Sequence, residues 1–518
     1  MKPNFIDRLV GFFSPEAETA RIQSRLKKDL ILRGYDAAKD FRTSDWVSAS
    51  KTSANEEIKA AQKKVRERAR DLTRNNPYGV RALNVITANT VGSGIVANVR
   101  GPNDKKTEEL RLLWKMWAES TACDANGRHN FYGLQSLVLR TTVESGEGLA
   151  VRNGLDPVTG PKIKVLESDF LNADQDKDDG TLVQGIEFDS KGTRKAYKLF
   201  KKHPGDKGAS NEYVSIPAQD VSHTFRQERP GQQRGMPWAH AVIEPLKDFD
   251  DYQRATLIGR KIAACFSAFI TTNGSDSLLS PEDLKTKREA DMTLEPATIR
   301  YLNHGESVSL ATPPPVSGYA EFTRESLRSV AAGLGISYEA MTGDYSQSNY
   351  SSSRMGHLEF RRNIEDWRWN MLIPQFCDTT FGWFRQWAAV VARVKPEEIT
   401  VEWTPPAYEM IDPTKDIAAT QRAIRAGLLT LPQAIRAQGY DPDAQLKEIA
   451  ETNTKLDELK ISLDSDPRKM SQIGFAQAGD SLGILSDVEI PQEETPDTEV
   501  QHETEQGSTP ADGRPKPV

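Results

Sequence analysis

Three observations in the sequence predict an α+β protein. Apolar residues recur at helical spacing from Glu56 to Glu144 and again after Leu246. Between Gly146 and Phe225 the pattern changes to short strand-like runs separated by turn signals. The third is the stretch Leu327 to Trp387, where a short helix, a polar loop and a long aromatic helix follow one another.

Composition sets the frame for these elements. At 518 residues the chain has room for roughly three domains. Its 37% hydrophobic content is a little low for a compact globule and points to extended parts, partner-covered surface or a tail that does not pack. Cys123, Cys265 and Cys377 are far apart with no CxxC, which suggests neither a disulfide framework nor a zinc site and fits a reducing compartment. Every apolar run is well short of the roughly 20 residues that span a bilayer. The N-terminal MKPNFIDRLVGFF lacks a signal-peptide cleavage pattern and reads as a frayed helix. Charge is unevenly placed: residues 486–518 carry nine acids and two bases, a net of −7, which equals the net of the whole chain. The body is therefore neutral. Within it, Arg21 to Arg81 holds sixteen bases against eight acids, and its run KKVRERARDLTRNNP reads as a solvated helix face.

Taken in order, Glu56 to Arg74 is helical and is broken at Asn75-Asn76-Pro77, because the residue before proline avoids the helical region. A second helix, Tyr78 to Asn89, runs into TVGSGIVANV. Gly92, Gly94 and Ala97 match a dinucleotide fingerprint formally. That fingerprint works only between a strand and a following helix, whereas here a helix precedes and a strand follows. Glu108 to Glu119 places Leu110, Leu113, Trp114 and Trp117 on one helical face; Phe131 to Glu144 is another helix, ended by ESGEG. LAVRN, KIKVLES, VQGIEFD and RKAYKLF then form a β-rich unit with turns at DPVTG, KDDG and DSKG, and VSIPAQDVSHTF adds to it. RPGQQRGMPWA is a loop leading into a helix over Leu246 to Ile270, about 37 Å long at 1.5 Å per residue. Ala255, Gly259, Ile262, Ala263 and Phe266 share one of its faces, and the small members allow another helix to approach closely. A helix at Ser280 to Ala290 and a hairpin ATIRYL–NHGE–SVSL make a small α/β excursion, so two helices bracket it like a stalk with a tip.

Leu327, Val330, Ala331 and Leu334 form the apolar face of the next helix, and Gly333 and Gly335 stop it. Thr342 to Ser353 has two tyrosines and otherwise hardly an apolar residue, so burial cannot order it; it reads as a functional loop. Phe360, Ile364, Trp367 and Met371 return to helical spacing, and Pro374 inside the pattern removes a backbone donor and bends the helix, so a long, kinked helix is expected. ITVEWTPP is a strand, Asp412-Pro413 opens a helix that Gly427 closes, and Thr430 opens a short one ending at Gly439. Asp441-Pro442 begins a charged helix to about Leu463. From Pro491 the composition is that of a tail without a packed core.

Catalytic frames are missing: there is no Walker motif, HExxH, GxSxG or convincing pair of carboxylates. The seven histidines have no metal-ligand spacing, His223 reads as a packed residue rather than a base, and Ser351, Ser352 and Ser353 lack a helix N-terminus and a nearby base. We expect no enzyme, no cofactor and no metal.

Several segments in a fixed order nevertheless resemble one family. They are RDLTRNNPYGVRALNVITANTVGSGI, ESGEG, IPAQDVSHTFRQERPGQQRGMPWAHAVI, LNHGESVSL, AAGLGISYEAMTGDYSQSNYSSSRMGHLEFRR and IDPTKDIAATQRAIRAGLLTLPQAI. Together, over roughly residues 65 to 465, they resemble the lambda-type portal proteins of tailed bacteriophages and prophages; EPAT at 295–298 departs by having Ala297 where glycine is expected. The resemblance implies a portal fold in a ring of about twelve copies at one capsid vertex, through which a separate terminase drives double-stranded DNA and from which DNA later leaves. It maps an N-terminal segment to 1–55, a wing to 56–245, stem helices to 246–270 and 319–335, and a clip to 271–318. A tunnel-loop region falls at 336–353, a kinked tunnel helix and return to the wing at 354–411, crown helices at 412–465 and an acidic tail at 466–518. The implied DNA-channel residues are Asp344, Tyr345, Gln347, Asn349, Tyr350, Ser351 and Arg354. The implied clip contacts to terminase or connector are Glu282, Asp283, Lys285, Arg288, Arg300, His304 and Glu306. Further implied partners are the terminase large subunit, major capsid and scaffold proteins and head-completion connectors, in the virion and, during assembly, the host cytoplasm. A neutral body with a polar loop suits a conduit, since each phosphate neutralised by Lys or Arg would add affinity and hence friction. Two other classes stay open: another structural head protein such as a connector or minor capsid protein, and a packaging-associated nuclease or protease.

Overall fold

Helix α1 (Ala54–Asn75) begins where the Ser53 side chain accepts from the Glu56 amide, and it ends at Asn76, whose side chain in turn caps α2 (Pro77–Val91) through the amides of Tyr78 and Gly79. One asparagine thus closes one helix and opens the next. The computed structural model describes residues 51–264 except 178, 209 and 210, then 268–272, 306–310, 318–461 except 348 and 411, and residues 463 and 468. The frayed-helix expectation at the N-terminus, the helix at 280–290, ATIRYL and the tail lie outside the described residues.

After α2 the chain stops at Gly92 and enters β1 (Val96–Arg100). The order helix, turn, strand is the reverse of a nucleotide fingerprint. β1 pairs antiparallel with β11 (Thr400–Thr404), Val96 opposite Thr404, so the predicted ITVEWTPP strand closes back on the N-terminal part of the chain. Helix α3 (Asp104–Ala118) buries Leu110, Trp114 and Trp117, and α4 (Phe131–Ser145) buries Phe131, Leu134, Val138 and Leu139.

The β-rich unit resolves into two antiparallel sheets. β2 (Glu147–Asp156) lies between β3 (Gly160–Leu166) and β8 (Val221–Phe225). The second sheet runs β4 (Leu182–Val183), β5 (Ile186–Phe188), β6 (Arg194–Phe200), β7 (Tyr213–Pro217). VQGIEFD, read as one run, is split into β4 and β5 at Gln184, which has positive φ, and Gly185. Leu149, Val151, Ile186, Tyr197, Leu199 and Val221 form a small core between the sheets.

Helix α5 covers Ile243–Ala264, 22 residues, and Ala268–Thr272 is a strand, β9, instead of the helix end expected through Ile270. Ile270, Thr271 and Thr272 are β-branched, which favours the extended state. The SVSL strand is present as β10 (Glu306–Leu310), and its described partner is β9, with Glu306 opposite Thr272. Helix α6 (Tyr319–Leu334) buries the predicted Leu327, Val330, Ala331 and Leu334, and Gly335 caps it in the left-handed region. It packs on α5 through the Tyr252 ring, 4.5 Å from Phe322 and 6.0 Å from Tyr319. Ala255 and Gly259, whose small side chains would let another helix approach, follow Tyr252 at i+3 and i+7 on the same face and are exposed.

A short α7 (Tyr338–Thr342), capped by Ser337, then leads to α8 (Tyr350–Asp366). The helical path continues through an 11-residue π segment, Trp367–Cys377, into α9 (Asp378–Ala392). Pro374 lies inside the π segment, and the Asp378 amide reaches back five residues to Ile373 O. The wider turn relieves the clash that a proline ring makes with the carbonyl four residues earlier, so the helical path runs through Pro374 unbroken. Phe376, Phe381, Phe384 and Trp403 join Trp114, Trp117 and Phe131 in the aromatic centre of the main core. Helices α10 (Pro413–Arg425) and α11 (Leu431–Ala437) start at Asp412 and Thr430, as their capping signals predict. Asp443 onward is a separate unit, described by helix α12 (Pro442–Glu458) and an Arg468–Asp457 ion pair of 3.3 Å.

Candidate nucleic-acid interface

The polar segment read from Thr342 to Ser353 is shorter in the structure. Thr342 ends α7, and Tyr350, Ser351 and Arg354 lie in the first turns of α8, leaving Gly343–Asn349 as the loop. The correction has a local cause: Asn349 stands just before the first helical residue, a position where asparagine is favoured, and polar serines are tolerated in a first turn where backbone donors still need partners. Ser351, Ser352 and Ser353 do therefore sit at a helix N-terminus.

The loop keeps its one charge to itself. Asp344 accepts from the Ser346 amide at 3.0 Å and from the Tyr338 hydroxyl at 3.1 Å, while its own amide donates to Thr342 Oγ1 at 3.2 Å. Hydrogen bonds from Ser346, then from Tyr338, hold its carboxyl below the usual carboxylate range. Tyr345, Ser346, Gln347 and Asn349 are exposed, and Tyr345 at 61% is the one large ring among them. Tyr345 lines both a groove of about 580 Å³, with Asn89, Arg354, His357 and Tyr408, and a smaller one of about 210 Å³, with Arg81 and Phe360. Arg354 pairs with Asp416 of α10 at 3.5 Å. The exposed part of the loop thus offers hydroxyl, amide and ring groups.

Side chains from α2 and α8 bond the backbone that leads into the loop. Arg81 of α2 donates to Ala340 O at 3.1 Å, and Asn363 of α8 donates to Gly335 O at 2.9 Å. Arg368, 2% exposed in the π segment, donates to Thr90 O at 2.7 Å and to Asn89 O at 3.0 Å, satisfying carbonyls in the last turn of α2. Its guanidinium lies 5.0 Å from the Tyr408 ring, and Tyr408 donates to Glu365 at 2.6 Å. Burial, reinforced by Glu365, pushes the Tyr408 hydroxyl well up. The one sequence signal for Arg368 is an arginine set between two tryptophans, DWRWNM.

A second polar centre explains two of the motifs. Glu147 of ESGEG is fully buried and accepts from Arg234 of RPGQQRGMP, whose Nε lies 3.0 Å from both carboxylate oxygens and whose Nη2 bonds Oε1. Gln62 donates to Oε1 at 3.0 Å, the Gly235 amide to Oε2 at 3.2 Å and His223 Nε2 to Oε2 at 2.8 Å. Burial alone would raise the Glu147 pKa, but the Arg234 charge and the bonds from His223 and Arg234 outweigh it and hold the carboxyl far below its usual range. The His223 pKa is lowered as well: burial lowers it, and Glu147 only partly compensates. It is a packed, neutral residue, as its place at a strand end predicts. The backbones of the two motifs touch. A Cβ on Gly235 would stand 2.0 Å from Gly146 O, and one on Gly146, at φ +93°, would stand 2.5 Å from Met236 C. Glycine is required at both places.

Of the clip residues, Glu306 opens β10, whereas Glu282, Asp283, Lys285, Arg288, Arg300 and His304 lie outside the described residues. Glu167, Asp169 and His203 come close enough to hold a cation, yet Arg66 and Arg70 already reach the two carboxylates at 2.5 to 3.0 Å. Positive charge at those distances opposes a metal ion.

Residues 39–368 match the family described as phage portal protein, lambda family, which is more than half of the chain. The class is thereby a phage portal protein. Similar proteins include the probable portal protein of Halomonas phage phiHAP-1, 26% identical over 480 residues that cover 86% of this chain and 90% of that one. Portal protein B of Escherichia phage lambda is 23% identical over 440 residues, covering 72% and 80%. The chain belongs to the lambda family of phage portal proteins. Among solved structures it resembles a chain of the virion of a native gene transfer agent particle, at TM-score 0.45 and 15% identity, covering 74% of this chain and 94% of that one. It also resembles a HK97-family phage portal protein from Corynebacterium diphtheriae, at TM-score 0.33 and 10% identity, covering 67% and 95%.

Proposed function

We propose that this portal protein assembles into a ring of about twelve copies whose channel passes double-stranded DNA without reading its sequence, and that Gly343–Asn349 lines the channel. The observation that carries the reading is the loop's chemistry in a chain of this family. Tyr345, Gln347 and Asn349 present neutral hydrogen-bonding groups, Asp344 is tied to Tyr338 and Ser346, and Arg354 is paired with Asp416. A surface of that kind touches phosphate and groove edges without releasing counterions, so DNA meets little resistance to sliding.

On this reading residues 56–245 are the wing, α5 and α6 the stem, and 271–318, entered and left through β9 and β10, the clip that meets the terminase large subunit and later the head-completion connectors. The π-containing helix from Tyr350 to Ala392 is the tunnel helix, and α10 and α11 belong to the crown. The ring occupies one vertex of the capsid among major capsid and scaffold proteins, after assembly in the host cytoplasm. DNA is moved by the separate terminase, and this chain supplies the conduit.

The test is to shorten 345–350 in an otherwise intact chain and measure the length of packaged DNA and its retention. Altered length or leakage from assembled particles is expected. Normal packaging and retention with rings formed would overturn the assignment of the loop.

A further inference from the structure

Arg354, Arg361 and Arg368 stand at i, i+7 and i+14 along α8 and into the π segment. Seven residues are almost two helical turns, so the three share one face at intervals of about 10 Å. The chain that leaves β11 runs back along that face. The Arg368 and Arg361 guanidiniums lie 5.0 and 4.6 Å from the centre of the Tyr408 ring, and the Tyr408 hydroxyl donates to Glu365 at 2.6 Å. Arg361 also donates to Glu409 O at 2.7 Å, and Arg354 pairs with Asp416 at 3.5 Å. Residues 405–410 form no helix or strand, and among the described residues no backbone-to-backbone hydrogen bond holds them. They are a strap fastened by side chains, with the Tyr408 ring as its clasp.

Two features let the strap shift. α10, which it leads into, buries none of its residues and α11 buries only Ala434, so apolar packing does little to fix those two helices. The strap is also undercut on both sides of its clasp. A groove of about 810 Å³ opens beside Trp369 and Pro374, and the groove of about 580 Å³ that Tyr345 lines opens toward Ala88 and Asn89; both reach Arg368, Pro406 and Tyr408. In the second groove α2 and α8 supply two walls, through Asn89 and His357. The other two are the loop that carries Tyr345 and the strap that carries Tyr408. Loop and strap therefore face each other across one space.

We propose that this strap is a latch through which α10 and α11 regulate the loop Gly343–Asn349. With Tyr408 clasped, the groove keeps one width and Tyr345 one seat; a load that draws α10 and α11 off α8 widens the groove and releases the loop. The latch rests on the channel reading above and supplies the control of that loop. Its two states differ in side-chain contacts at Tyr408 and in the width of one groove, so the helices on either side need not repack.

Hydrogen–deuterium exchange of the full-length chain, read by mass spectrometry, tests it, with circular dichroism melts to verify folding. Tyr408→Ala removes the clasp, and Tyr408→Phe keeps the ring but loses the bond to Glu365. A ring that merely packs would quicken exchange only where it touches, in 361–368 and 405–410. The latch requires more: amides of 341–347 exchange at least tenfold faster in Tyr408→Ala and less so in Tyr408→Phe, while β2 and β8 keep the parent's rates. Coupling is reciprocal, so Tyr345→Ala is expected to speed exchange at 407–416 by a similar factor. The two changes together are expected to do less than the product of their separate effects. Should Tyr408→Ala exchange faster everywhere, Tyr408→Phe and Tyr345→Ala decide by the same comparison. Parental rates at 341–347 in the Tyr408 variants, or at 407–416 in Tyr345→Ala, overturn the latch and leave the channel reading standing. Exchange is measured without DNA, so a failure of the channel reading shows in particles with the shortened loop and not in these rates.

Discussion

Replacing Arg234 with methionine would leave the Glu147 carboxylate buried beside His223 and Gln62 with its cation gone. A loss of about 3–5 kcal/mol is expected, because an uncompensated charge would remain out of water, and urea unfolding midpoints measure it. The same centre sets a pH dependence. His223 is held neutral by burial and Glu147 is held ionised, so both bind fewer protons in the folded chain than in the unfolded one. Their stabilisation is full above about pH 6.5; it falls as acid forces a proton onto the His223 ring, and falls again below about pH 4.3 through Glu147. His223→Gln, which retains a donor for Glu147, should flatten the upper of these two declines in a series of melts. Glu147 and Arg234 were each visible inside a quoted motif, but 87 residues separate them, and spacing along the chain says nothing about a pair that meets only after β2 and β8 have paired.

At the scale of elements, the π segment and α2 are joined by one side chain. Arg368→Met should cost about 1–3 kcal/mol, since the carbonyl of the buried Thr90 would lose its donor; the melting temperature reads this out. Arg368→Lys should recover little, because a single ammonium cannot span both carbonyls and Glu365 as a planar fork does. Tyr345→Ala, by contrast, should leave the melt within about 0.5 kcal/mol, since the ring is mostly solvent-exposed, while changing DNA retention if the loop lines the channel. The starts at Asp412 and Thr430 were legible because a cap is local, each side chain accepting from an amide three residues on; Ser53, Asn103 and Asn130 cap their helices in the same way but were not read as caps. Less legible were the end of α5 and the start of α8, where the apolar pattern is weak and neighbouring elements decide.

For the whole molecule, the acidic segment 486–518 carries the full formal charge of −7. Removing it should leave a neutral protein that melts unchanged but precipitates more readily near pH 7 at low salt, which turbidity and sedimentation would show. In this member of the lambda portal family the main core ties α1 to β11 across most of the chain.

Sequence alone determined the mixed architecture, most helix starts, the inward face of α6 and the family, because periodicity, caps and ordered motifs are all written in neighbouring residues. Only the tertiary structure decided that Glu147 and Arg234 are one buried pair, that Arg368 closes α2, that Pro374 sits in a π turn and that Ala255 and Gly259 stay exposed. Each of these depends on residues far apart in the chain or on packing competing with local preference, and local pattern carries neither.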